Sequence, residues 1–162
     1  MERILILGGG VGGTIVANLV ARKLKRQVDS GQVSVTVVDK FCPAAQVARL
    51  MASADALVHA GDQETFGLVV LEAMASGIPV VAVAAGAFQE IVTDQCGLLC
   101  APNNPAAMAN AVRELFSQGS AALGKKARSH VEQHYAWDIV VDSLLGHYHA
   151  VLGTQWPLIA NG

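Results

Sequence analysis

Apolar residues fall along the chain in short runs that alternate with longer stretches of helical spacing. Ile4 to Leu7 is a continuous apolar run, the pattern of a strand covered on both faces. Val16, Leu19, Val20 and Leu24 then recur at helical spacing, and Lys23, Lys25 and Arg26 suit the C-terminus of such a helix. After a DSGQ turn, Ser34–Val38 predicts a second strand ending at Asp39. Pro43 opens a second helix that runs through Ala54, and Ala56–His59 predicts a third strand. A third helix is expected from about Phe66 to Ser76, stopped by Gly77 with Pro79 just beyond. Pro79–Val83 and Gly97–Cys100 read as further strands, separated by a short helix over about Ala87–Thr93. Asn103 or Asn104 caps the next helix, with Pro105 in its first turn. From Ser120 onward helix dominates, with one element ending near His134 and another running from near Trp137 to about Leu152.

Strands alternating with helices predict an α/β fold: one Rossmann-like three-layer domain over residues 1–153, with 154–162 as a tail. Right-handed crossovers leave two sheet orders for five parallel strands, 2-1-3-4-5 or 3-2-1-4-5. The choice matters because ligands bind outside the C-terminal strand ends, where the order reverses.

Composition narrows the partners. The 162 residues carry a formal charge of −2 and no basic run longer than KLKR, which argues against nucleic acid. Apolar residues make up 52% and charged ones 15%, a balance that points to surface meant to be covered. The longest apolar stretch is interrupted by Glu72, Gly77 and Pro79, so no membrane span is expected. Cys42, Cys96 and Cys100 form no CxxC pair and read as reduced thiols of a cytoplasmic protein. His130 and His134 lie one helical turn apart but lack a third ligand, so no metal is expected.

Two constellations carry candidate chemistry. The first is Gly8-Gly9-Gly10-Val11-Gly12-Gly13, a GxGxxG between a strand and a helix. Gly8 permits the tight turn, Gly10 lets the backbone approach a pyrophosphate, and Gly13 lets the helix pack closely on the strand. Asp39, at the end of the second strand, is placed to accept from ribose hydroxyls. The segment ILILGGGVGGTIVANLV, followed by VSVTVVDK, resembles the FAD-binding N-terminus of sulfide:quinone oxidoreductase-like flavoproteins over about Met1–Lys40. That resemblance implies FAD pyrophosphate at Gly8, Gly10 and Gly13 and its ribose at Asp39. The family's redox cysteine pair and second dinucleotide domain have no counterpart.

The second constellation is Glu64-Thr65-Phe66-Gly67-Leu68, continuing to Glu72. Two carboxylates flank seven residues, and Thr65, Phe66 and Gly67 offer backbone N–H groups at a helix N-terminus, an anion site. Together with CGLLCAPNNPAAMANAV and the final Trp helix, the segment resembles the C-terminal half of a GT-B glycosyltransferase of the retaining family 4 type, over about Gln46–Gly153. By that resemblance Glu64 contacts the donor sugar, Phe66, Gly67 and Leu68 the donor phosphates, and Glu72 the nucleotide ribose. The family's upstream Arg/Lys pair and its acceptor domain are not recognisable in the chain.

The two resemblances meet near Phe41–Ala45, which reads as the seam of a chimera, engineered rather than natural. The expectation is therefore a hybrid domain without complete catalytic machinery. It would require no cofactor and would bind FAD, ADP or a UDP- or GDP-type nucleotide at most weakly. A glycosyltransferase fragment with residual donor binding, and an FAD-binding oxidoreductase fragment, are the alternatives. In the glycosyltransferase parent, the strand equivalent to Ala56–His59 lies beside that domain's first strand, which favours the order 2-1-3-4-5. The last helix loses its partner domain in this reading. Ile139, Val140, Leu144, Leu145 and Tyr148 must then cover the chain's own sheet or form a homodimer.

Overall fold

A computed structural model describes residues 1–7, 17–22, 24–38 and 43–152. Five parallel strands form one sheet: β1 (Glu2–Leu7), β2 (Val33–Val38), β3 (Ala56–His59), β4 (Val80–Val83) and β5 (Gly97–Cys100). Their order is β2-β1-β3-β4-β5, so the alternative 3-2-1-4-5 is excluded. β1 lies between β2 and β3, with Leu7 in register with Val38 on one side and His59 on the other. The reversal of winding therefore falls between β1 and β3.

Apolar runs became strands where both faces are covered. Ile4, Leu5 and Ile6 of β1 and all four residues of β4 are buried. β2 lies at the edge and is covered on fewer positions, with Thr36 and Val37 exposed. Asp55 clamps the start of β3 to β1: its carboxylate accepts the Arg3 backbone N–H, and its own N–H donates to the Arg3 carbonyl at 2.6 Å.

The helices follow their amphipathic signals with three departures. Residues 17–22 are helical (α1), within the helix expected to run to about Leu24, but a further short helix beyond Leu24 was not expected. Leu24 sits at φ −101°, ψ 20°, and α2 (Lys25–Asp29) follows as a separate turn and a half. α3 (Ala44–Ser53) starts just after Pro43, as expected. α4 (Leu68–Ala75) begins two residues later than predicted because Gly67 adopts a left-handed conformation, φ 68°, and cannot extend the helix. α5 (Phe88–Ile91) is a single turn.

α6 (Pro105–Gln118) buries Met108, Ala109, Ala111, Val112 and Leu115 along one face, and the Asn104 side chain caps it by accepting the Ala107 N–H at 3.0 Å. α7 (Ser120–His134) lays Leu123, Gly124 and Ala127 against α4.

α8 (Trp137–Leu152) is the third departure. It contacts α7 but does not cover the sheet. Ile139, Val140, Leu144, Leu145 and Tyr148 are exposed in the single chain, so of the two outcomes left open by the sequence the covering of the chain's own sheet does not occur. No helix among the described residues is long and apolar enough to cross a membrane.

Candidate functional site

The chain leaves β3 at His59, beside the switch point, and reaches α4 through residues 60–67. Glu64 dominates this loop. Its Oε1 accepts the backbone N–H of Gly67 at 3.1 Å and of Phe66 at 3.2 Å. These two donors, and more weakly the Thr65 N–H, hold the Glu64 carboxyl below its ordinary pKa. Charge-assisted bonds to backbone N–H groups favour the ionised form.

That arrangement revises one expectation. The Phe66 and Gly67 N–H groups were to be open to a ligand's phosphate, and an internal carboxylate occupies them instead. Leu68 and Val69 supply the next two N–H groups of α4, and neither has an acceptor among the described residues. The anion-accepting end of the helix is thus shifted one step along the chain.

The loop is anchored from a second side. The Glu64 carbonyl accepts the Ala87 N–H at 3.2 Å. Gly86 sits at φ 53°, where a Cβ would collide with that carbonyl. Gly67 is closed in the same way: a Cβ there would stand 2.5 Å from Ile91 Cδ1. Phe66 and Leu68 project outward and are 75% and 65% exposed, so an apolar ligand face would meet them first. Glu72 is exposed on α4 about one helical turn beyond Leu68.

His59 was legible in the sequence only as the last residue of a strand. Its Nδ1 accepts the Gly61 N–H at 3.2 Å, and its ring meets that of Phe88 edge-on at 4.9 Å. Burial pushes its pKa down, with the nearby Glu64 charge opposing in part. The available signal was a histidine at the C-terminal end of a central strand, beside a reversal of winding.

Gly8, Gly10, Val11, Gly12, Gly13 and Asp39 lie outside the described residues, so their relation to Glu64 is not part of this geometry. The register of Leu7 with His59 does bring the ends of β1 and β3 to the same edge. The His130 and His134 rings lie 4.7 Å apart and tilted by 50°, and among the described residues no group of three or more metal-ligating side chains occurs.

A parallel sheet of this order, with a helix N-terminus beside its switch point, defines a Rossmann-like α/β domain. The chain matches the model of the glycosyl transferases group 1 family over residues 3–118, and it belongs to that family. It is 41% identical over 119 residues to the GDP-mannose-dependent alpha-mannosyltransferase of Mycolicibacterium smegmatis, which covers 68% of this chain and 30% of that protein. It is 33% identical over 169 residues to the D-inositol 3-phosphate glycosyltransferase of Mycobacteroides abscessus, covering 95% of this chain and 36% of that one. The chain thus spans about a third of the length of these relatives. Among solved structures, the C-terminal domain of a glycosyl transferase group 1 family protein from Francisella tularensis superposes with a TM-score of 0.63 at 22% identity, over 83% of this chain and 86% of that domain.

These matches correct the reading of the first forty residues. The family match starts at residue 3 and runs unbroken through the seam expected at Phe41–Ala45. One family accounts for both sides, and neither a flavoprotein segment nor an engineered fusion finds support. With them goes the case for FAD and for a flavin oxidoreductase.

Proposed function

We propose that the chain forms the donor-binding portion of a group 1 glycosyltransferase and takes a nucleoside diphosphate sugar at the C-terminal ends of β1 and β3. The observation that carries this reading is Glu64, ionised and fixed on the start of α4 by two backbone bonds. One carboxylate oxygen is committed to the helix, which leaves Oε2 to accept from sugar hydroxyls. The diphosphate meets the Leu68 and Val69 N–H groups, where the helix dipole favours negative charge. Glu72, one turn further on, accepts from the nucleotide ribose. Phe66 lies against the ligand as an apolar wall, and Thr65 and Gly67 shape the loop. Gly8, Gly10, Val11, Gly12, Gly13 and Asp39, which follow β1 and β2 in the sequence, are proposed as further donor contacts on the strength of their sequence pattern alone.

Of the nucleotides, a guanosine diphosphate sugar of the GDP-mannose class is favoured, because the mycobacterial relative with 41% identity is GDP-mannose-dependent. Sugar transfer would release the nucleoside diphosphate as leaving group, and charge developing on it is stabilised by preorganised N–H donors. Transfer also needs an acceptor held in register with the donor, so the reading commits this chain to donor recognition first.

Amide-resolved NMR titration with GDP, UDP, ADP and GDP-mannose tests the proposal. The expected result is a joint shift of Gly61–Val69 amides with GDP and GDP-mannose, with dissociation constants of roughly 0.1–10 mM, or about −3 to −5 kcal/mol. No shift in this segment at millimolar ligand would overturn it. Binding of all three diphosphates alike would keep the site and remove the guanosine preference.

A further inference from the structure

His59 joins the two arms of the site. It ends β3, in register with Leu7 of β1 and Ala82 of β4, so its backbone is fixed at the centre of the sheet. Its Nδ1 accepts from Gly61, the second residue of the loop that leads to Glu64. An accepting Nδ1 carries no proton, so in the neutral ring the hydrogen is on Nε2. A Cβ on Gly61 would stand 2.9 Å from His59 Cε1, so the ring lies directly against the loop backbone. The ring also makes a T-shaped contact with that of Phe88, which is fully buried. Phe88 follows Ala87, whose N–H donates to the Glu64 carbonyl. The contacts close a circuit from His59 through Gly61 to Glu64, across to Ala87, and back through Phe88.

We propose that His59 is a positioning residue of the donor site, holding the loop from Gly61 to Gly67 so that the Glu64 carboxylate stays on the start of α4. The role rests on the donor-site reading for its functional meaning, but not for its structural content. His59 does its work through a single acceptor atom and a ring edge. An asparagine places Oδ1 where Nδ1 stands and can accept the same N–H. A leucine keeps similar apolar bulk and accepts nothing.

The test compares the wild-type chain with His59→Asn and His59→Leu, in two readouts. The first is the amide temperature coefficient and shift of Gly61, Gly67 and Ala87 without ligand, with Val80–Val83 as the core control. The second is GDP affinity. His59→Asn is expected to keep a hydrogen-bonded Gly61 amide and to bind GDP within about twofold of wild type. His59→Leu is expected to free Gly61, to move Gly67 and Ala87, and to weaken GDP by roughly two- to tenfold, the net value of one hydrogen bond, while Val80–Val83 stay in place.

The proposal is overturned if His59→Leu leaves Gly61, Gly67 and GDP affinity unchanged, or if both variants lose them alike. Should leucine disturb Val80–Val83, His59→Gln replaces it, since its amide reaches past the Nδ1 position; the same losses are then required of it. If the wild-type chain binds no nucleotide, the donor-site reading falls, and the Gly61 and Gly67 amides still decide the role of His59.

Discussion

The Glu64 carboxylate accepts the N–H of Gly67 three residues ahead, at 3.1 Å, and so holds the residue from which α4 starts at Leu68. A candidate ligand-binding group is therefore also a structural one. Removing it should change stability and binding together, and the two effects can be separated by the choice of substitution.

Glu64→Ala leaves the Phe66 and Gly67 N–H groups without their acceptor. The net value of each such hydrogen bond is about 0.5–1.5 kcal/mol. Glu64→Gln retains an oxygen acceptor at Oε1 and should lose less than half of that. Urea denaturation midpoints measure the difference. On the donor-site reading both variants weaken GDP-mannose, the alanine more strongly.

The charge on Glu64 makes part of this stability depend on pH. Its folded pKa is held below the ordinary value of 4.5 by the Gly67 and Phe66 N–H groups. A depressed carboxylate contributes stability above its unfolded pKa and loses it as pH falls through the folded value. Wild type should therefore lose stability more steeply than Glu64→Gln between pH 4.5 and lower pH. Parallel slopes in denaturation series would contradict a role for the Glu64 charge in holding Phe66 and Gly67.

Gly67 has a backbone conformation that disfavours side chains and a neighbour that forbids one. At φ 68°, where an added Cβ would stand 2.5 Å from Ile91 Cδ1, Gly67→Ala combines left-handed strain with overpacking. Each of these costs about 1–3 kcal/mol. A loss of at least about 1 kcal/mol in chemical denaturation is expected, even though alanine favours helix.

Exposure on α8 sets up a contrast with the core. Leu144 is 50% exposed and Leu115 fully buried. Leu144→Asn should change the stability of the single chain by less than about 0.5 kcal/mol, whereas Leu115→Ala should cost about 2–5 kcal/mol. A large loss at Leu144 under dilute conditions would mean that α8 is covered in solution, and sedimentation at two concentrations would show whether a second copy covers it.

Much of the fold was legible because its strands are short, apolar and bounded by strong signals. Ala56–His59 and Gly97–Cys100 stand where the sequence placed them, and Asn104 with Pro105 marks the start of α6. The short helix α2 beyond Leu24 was hidden, because the sequence signals there read as the end of one helix and the approach to a turn. The landing place of α8 was hidden too, since an apolar helix states that it wants cover but not where cover lies. At the site, the glutamates and the loop between them were visible. What could not be read was the direction of the Glu64 side chain, which turns back onto its own helix. The flavoprotein resemblance failed for a related reason. A strand, a glycine turn and a helix solve one local packing problem in many families, and forty residues of that solution do not identify the protein around it.

The position of β2 has a consequence for handling the molecule. It is an outer strand of six residues, Val33–Val38, with no charge and no proline, paired on one side only. Outer strands in natural sheets are commonly blunted by lysine, proline or a bulge, and those that are not can recruit another strand. Once heat loosens the helices that flank it, this segment offers a template for intermolecular pairing. Thermal melts should then be irreversible and steepen in their loss with protein concentration, and a lysine at Thr36, which is exposed, should restore refolding without touching the donor crevice.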